Sequence, residues 1–136
     1  LGGHEEVAMK HNLDELCAVD LPQFRDSRGL LVPVEFSQFV PFAVNRMFWV
    51  ADVPTAGVRG GHAHKHCHQF AICLSGLVAI DAFNGEATRT IELQAGQALH
   101  IKPGLFTTER FLAPGTILAV LCDRPYEATD YLYALK

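Results

Sequence analysis

Apolar residues recur along this chain in short bursts broken by glycine and proline. The bursts fall at residues 30–36, 43–53, 69–74, 77–83, 88–93, 98–102, 106–111 and 116–122. The breaks include Asp26-Ser27-Arg28-Gly29, Ala56-Gly57, Arg59-Gly60-Gly61, Ser75-Gly76, Asn84-Gly85, Ala95-Gly96, Pro103-Gly104 and Pro114-Gly115. Short runs rich in β-branched and aromatic residues, bounded by turn formers, predict strands, and many of them in series predict a sandwich or barrel. Val78, Ile80 and Ala82 alternate with their neighbours and share one strand face. In 116–122, Ile117, Ala119 and Leu121 share a face, yet Leu118 and Val120 are apolar too, which predicts burial on both sides. Asn84-Gly85 predicts a tight hairpin, because both residues tolerate positive φ. Helical spacing is confined to residues 7–16 and, more weakly, 126–135.

Composition adds limits. The chain has 136 residues, a single domain's worth, and shows no repeat or linker; residues 1–16 are expected to form a loosely packed N-terminal segment of that domain. Apolar residues make up 49% and charged residues 19%, which excludes a disordered chain. Eleven basic against fifteen acidic side chains leave a formal charge of −4, against a nucleic-acid or anionic-membrane partner. Of the four cysteines, Cys73 and Cys122 sit in apolar runs and read as small buried hydrophobes. With no C-x-x-C, no secretory apolar stretch in the N-terminal residues and no run near the roughly 20 residues of a membrane helix, the expectation is a reduced, cytoplasmic protein.

Candidate chemistry is concentrated in one place. Four of the seven histidines are His62, His64, His66 and His68. On a strand His62 and His64 project from the same face, with Gly60 and Gly61 before them allowing a bend. Paired imidazoles suit either metal binding or proton transfer.

The spacing resembles the first cupin motif: His62-x-His64, Gln69 in the place of the usual Glu, then Gly76. The second motif should follow Pro103-Gly104, but no histidine follows that turn. Two histidines, a neutral amide and no later imidazole are short of a three-ligand catalytic metal site, so no metal and no cofactor are expected.

From about Cys17 onward the chain is similar to a narrower branch, the WxcM-like or FdtA-like dTDP-4-keto-6-deoxyhexose 3,4-ketoisomerases. The matching blocks are Asp26-Ser27-Arg28-Gly29 with Leu31, Val32 and Glu35; Pro41-Phe42; Arg46; Arg59-Gly60 with His62-Ala63-His64; Gln69; Gly76; Pro103; and Asp130-Tyr131. The resemblance implies an all-β, cupin-type (jelly-roll) barrel with at most a short helix, and a homodimer. It implies an isomerase of deoxysugar and polysaccharide biosynthesis that moves the ketone of a dTDP-linked 4-keto sugar from C4 to C3. His62 and His64 are carried over as the acid/base pair, with either one free to act at C3.

Other site residues follow from the substrate's chemistry. A diphosphate favours arginine over lysine, which makes Arg59, Arg46 and Arg28 candidates. Arg28 could instead anchor its turn through Asp26, and Arg46 could pair with Glu35. Gln69 would stabilise an enediolate oxygen, hold a histidine tautomer or simply line the cavity. The family commonly has tyrosine on the strand after the Arg46 position; here Phe48 and Trp49 stand there and would wall the pocket or stack on thymine. Phe106 occupies the place of a usual tryptophan. Tyr126, Tyr131 and Tyr133 are expected to pack together at the C-terminus. The alternatives are a non-catalytic or altered-activity sugar-nucleotide-binding cupin, a 3,5-epimerase of the same substrate class, and a metal-dependent cupin. The epimerase type usually sets an Asp beside its base histidine and uses a tyrosine acid, and neither is expected beside His62 and His64.

Overall fold

A computed structural model describes residues 11–133. Twelve strands form among them: β1 (Val19–Asp20), β2 (Phe24–Asp26), β3 (Gly29–Leu31), β4 (Arg46–Val50), β5 (Gly57–His64), β6 (Gln69–Ser75), β7 (Leu77–Phe83), β8 (Thr88–Gln94), β9 (Gln97–Ile101), β10 (Phe106–Phe111), β11 (Ile117–Cys122) and β12 (Tyr131–Leu132). One helical turn, α1 (Phe36–Phe39), and two 3-10 turns, Leu13–Glu15 and Ala128–Asp130, complete the set. Two five-stranded antiparallel sheets result, ordered β1-β9-β6-β11-β4 and β12-β5-β10-β7-β8, with β2-β3 as a separate hairpin.

Alternation decides what faces inward. Val78, Ile80, Leu93, Phe111, Leu118, Val120 and Cys122 from the two sheets meet in one core. Phe111 and Phe70 are fully buried, so truncating either to alanine removes about 3–5 kcal/mol. Strand β11 is buried on both faces, as its continuous apolar run predicts. Leu118 and Val120 join the inner core, while Leu121 joins a second cluster with Phe70, Ile72 and Val40 on the outer side of the same sheet. Val32, Val34, Phe39, Phe42 and Val44 lie against that outer cluster. This explains why 30–36 and 43–53 are not uninterrupted strands. Their apolar residues cover a sheet from outside, and only Gly29–Leu31 and Arg46–Val50 keep ladder pairing.

The helical expectations shrink. Within 7–16, the described part holds only the Leu13–Glu15 turn, capped by the Asn12 side chain, and residues 7–10 lie outside the described residues. Residues 11–16 are pinned: Leu13 is buried, Arg89 donates to its carbonyl at 3.0 Å, and the Asn84 amide donates to the His11 carbonyl at 2.7 Å. Within 126–135, Ala128–Asp130 is a 3-10 turn and Tyr131–Leu132 a strand; residues 134 and 135 lie outside the described residues. The β7–β8 ladder ends at Phe83 and Thr88, so residues 84–87 make a short four-residue hairpin connection, closed by the Asn84 side chain accepting from the backbone of both Glu86 and Ala87. No helix among the described residues is long and apolar enough to cross a membrane. All four cysteines are free thiols, with Cys73 and Cys122 fully buried as expected and Cys17 exposed.

One element is legible as a strand only at its His62–His64 end. The glycines at 57, 60 and 61 read as turn punctuation, yet Gly57–His64 is a single eight-residue strand. Thr107 pairs with His62 and Thr108 with Gly60, so Gly61 is the extra residue of a bulge. Gly60 and Gly61 have φ of +87° and +83°, which a side chain would resist.

Candidate active site

Strand β4 is an edge of its sheet, and β5 lies second from the edge of the other, where the short β12 pairs with its end. The β5 bulge sets the parity of the strand beyond Gly61, and His62 and His64 lie side by side, ring centroids 5.1 Å apart and edge-on. His64 is buried. Its Nδ1 lies 2.8 Å from Oδ2 of buried Asp130. The other carboxylate oxygen accepts the His66 backbone N–H at 2.8 Å, and the Asp130 carbonyl accepts from Lys65 N at 2.7 Å. An ionised carboxylate only accepts, so Nδ1 of His64 carries the proton and donates. The Nε2 atom then presents a lone pair, and it is buried without a hydrogen-bond partner among the described residues. Burial first, and the nearby His64 second, hold the His62 imidazole below its ordinary pKa, while a backbone hydrogen bond at Gly60 works the other way.

Pairing of β12 with β5 sets Tyr131 opposite His64. Its ring lies 4.5 Å from the His64 ring and 4.7 Å from the His62 ring. Burial raises the phenol's pKa, so it remains a proton donor at neutral pH. The three tyrosines do pack together, with the Tyr126 and Tyr133 rings 5.8 and 6.2 Å from that of Tyr131; the expectation that Asp and Tyr are missing beside the histidines is corrected. The reason is topological: Asp130 lies 66 residues from His64 and arrives only through the short β12 pairing.

The other expected residues divide. Arg46 points into the site. Its guanidinium lies 5.5 Å from the Phe48 ring and 5.8 Å from Tyr126, its Nε donates to the Arg124 carbonyl at 3.2 Å, and it lowers the pKa of Tyr131. Glu35 is not its partner; that residue is exposed, and its carbonyl anchors the first turn of α1. Phe48 packs against the inner core. Trp49, one residue on, faces the opposite way and is 66% exposed, so it does not wall this pocket. The same alternation turns Phe106 away from the face of β10 that carries Thr107 and Phe111, so Phe106 is also withdrawn. Arg28 is withdrawn too: its exposed guanidinium is held by Asp26 within the β2–β3 hairpin. Arg59 is exposed on β5. Gln69 is buried but bonds the Cys122 thiol; the His64 tautomer is held by Asp130 and not by the amide. His68 leaves the cluster altogether, its Nδ1 3.0 Å from Nε2 of His100. His66 is exposed.

Among the described residues, His64, Cys67 and Asp130 bring donor atoms within 4.8 Å of one another and could hold a divalent cation. Those donors have other engagements: Asp130 serves His64 and His66, and the Cys67 thiol donates to the His68 carbonyl. His62 is not in that group, so the H-x-H pair does not act as one pair of ligands.

A family model named FdtA and described as WxcM-like, C-terminal, matches residues 14–136. The chain belongs to this family. It is 28% identical over 115 residues to the TDP-4-oxo-6-deoxy-alpha-D-glucose-3,4-oxoisomerase of Aneurinibacillus thermoaerophilus, covering 84% of this chain and 83% of that protein. The 3,4-ketoisomerase QdtA from Thermoanaerobacterium thermosaccharolyticum, solved as a histidine-to-asparagine mutant with TDP-4-keto-6-deoxyglucose, superposes with a TM-score of 0.83 at 29% identity, covering 90% of each chain. The TDP-quinovose 3,4-ketoisomerase WlaRB from Campylobacter jejuni gives a TM-score of 0.79 at 29% identity, over 88% of this chain and 93% of that one. A dTDP-4-dehydrorhamnose 3,5-epimerase from Bacillus anthracis shares the fold at 16% identity, with a TM-score of 0.76 over 90% of this chain and 80% of that one. The all-β, cupin-type barrel implied by the histidine motif is the fold of this chain.

Proposed function

We propose that this protein is a sugar-nucleotide 3,4-ketoisomerase. In this reading it moves the ketone of a TDP-linked 4-keto-6-deoxyhexose from C4 to C3 by histidine acid/base chemistry. The observation that carries the reading is the buried Nε2 of His64, unpartnered among the described residues, with Asp130 fixing its tautomer and Tyr131 and His62 against its ring. Relatives named as 3,4-ketoisomerases support the substrate class.

The chemistry needs one base and one acid on neighbouring carbons. A C4 ketone acidifies the C3 hydrogen. His64 Nε2 takes that proton, leaving an enediolate across C3 and C4. Protonation at C4 and loss of the O3 proton complete the migration, with O4 becoming a hydroxyl. His62, kept neutral by burial, relays protons to oxygen, and the Tyr131 phenol donates to the developing oxyanion. Arg46 on β4 and Arg59 on β5 supply the guanidinium groups that bind the diphosphate. Nothing in this scheme calls on a cofactor.

The protein works in the cytoplasm as a homodimer on this reading. Support for a dimer comes from Met47, Trp49 and Leu74, exposed at 52%, 66% and 49% on the outer face of one sheet.

The test is substitution. His64→Asn and His62→Asn each lower turnover of TDP-4-keto-6-deoxyglucose by about a hundredfold or more, while calorimetry shows TDP binding within a few-fold of wild type. Wild-type protein that binds TDP but turns over no keto sugar supports a non-catalytic binding module instead. One specific observation favours a second reading: the His64–Asp130 pair with Tyr131 is the arrangement expected of a 3,5-epimerase. Product NMR separates the two, since epimerisation inverts ring carbons and leaves the ketone at C4.

A further inference from the structure

Strand β10 carries a carboxyl group that the proposed chemistry does not use. Thr107, Glu109 and Phe111 share one face of β10, and Thr107 and Phe111 are buried. Arg110, on the other face, is paired with Asp81 at 2.7 Å. Glu109 therefore points into the barrel, on the face that carries Thr107 opposite His62. Its neighbours across the ladder are Arg59 on β5 and apolar Ile80 on β7.

The close contact is with the β5 bulge. A Cβ placed on Gly60 would stand 2.8 and 2.9 Å from the two Glu109 carboxylate oxygens. The carboxyl thus fills the space where any other residue at position 60 would carry its side chain. Gly60 also makes the backbone hydrogen bond that favours the protonated form of His62. Glu109, Gly60 and His62 are in series.

We infer that Glu109 is a positioning residue for His62, acting through the Gly60–Gly61 bulge. The inference rests on the proposed role of His62 in the isomerisation. The groups that face this carboxyl are the Thr107 hydroxyl on its own strand, which bonds it, and the Arg59 guanidinium on β5, which attracts it. From β7 only Ile80 faces it, since Asp81 is turned outward to Arg110. Burial outweighs both polar partners and raises the Glu109 pKa to about 7. Its ionisation therefore falls where the enzyme works. The carboxylate accepts from the Thr107 hydroxyl and is drawn to Arg59; the neutral acid loses that charge beside the Gly60 backbone.

Glu109→Gln keeps the shape and removes the charge. Heteronuclear NMR of wild type and variant, without substrate, follows the His62 imidazole and the Gly60 amide against pH. Wild type should show an inflection near pH 7 at both the Gly60 amide and the His62 ring, which the variant lacks. Identical His62 and Gly60 titrations in the two proteins would overturn the inference, whether or not the protein turns over a keto sugar. With substrate, the variant's kcat should lose its pH dependence near 7, with KM changed less than about twofold. A variant that alters KM alone would place Glu109 with Arg59 in binding and also overturn the inference. If wild type isomerises nothing, the NMR result still decides the coupling, and only the functional reading fails.

Discussion

At the scale of single residues, the site depends on which nitrogen of His64 carries its proton. Asp130 decides this by accepting from Nδ1, and it does so from a buried position where an unmatched donor is costly. Asp130→Asn presents an amide that can satisfy His64 in the other tautomer. That variant should keep its fold and lose about 10²–10⁴-fold in kcat, measured by NMR-monitored turnover. Retention of full activity would show that the tautomer is held otherwise. His62 and His64 were legible as a pair from their spacing. Asp130 and Tyr131 were legible only as a matching block without a role, because contact across 66 residues leaves no local periodicity. Trp49 and Phe106 failed as site residues for a simpler reason. Strand parity, once the register is known, turns each of them outward.

At the scale of elements, β5 shows how glycine misleads a reader of sequence. Glycines at 60 and 61 suggest a turn, and they instead supply the positive φ of a bulge within a strand. The bulge re-aims His62 and His64 while keeping the ladder to β10. Gly60→Ala adds a Cβ at a left-handed position and against Glu109. It should destabilise the fold by about 1–3 kcal/mol, read by denaturant midpoint, and lower kcat more than the stability loss explains. Wild-type stability and activity in that variant would mean the bulge is incidental. The strands predicted from apolar runs between 69 and 122 formed close to where expected. The N-terminal third did not, since its apolar residues cover the outer cluster and mostly do not pair.

At the scale of the whole molecule, the outer face of one sheet carries both the proposed dimer surface and a pH-sensitive histidine. Trp49→Asp places a charge within the exposed apolar face and should shift the proposed dimer toward monomer in analytical ultracentrifugation; a wild-type sedimentation profile would contradict a dimer through this face. On the same face, His100 is held at a pKa of about 4, first by burial and then by His68. In the unfolded chain it protonates near 6.5. Between these values the unfolded state holds more protons. The stability His100 contributes is therefore complete above pH 6.5 and is lost as the pH falls toward about 4. Allowing for its partial exposure, the loss is about 1–2 kcal/mol, and His100→Gln should flatten that acid limb in denaturant titrations. An unchanged limb would assign the acid sensitivity to other groups.

The central claim is carbonyl migration by proton transfer at His64, and heavy water tests it most directly. Wild-type protein incubated with TDP-4-keto-6-deoxyglucose in deuterium oxide should yield a 3-keto sugar, with deuterium at C4 seen by proton and carbon NMR. His64→Asn should yield neither product nor label. Deuterium at C5 with the ketone still at C4, or a 3-keto product formed equally well by His64→Asn, would contradict it.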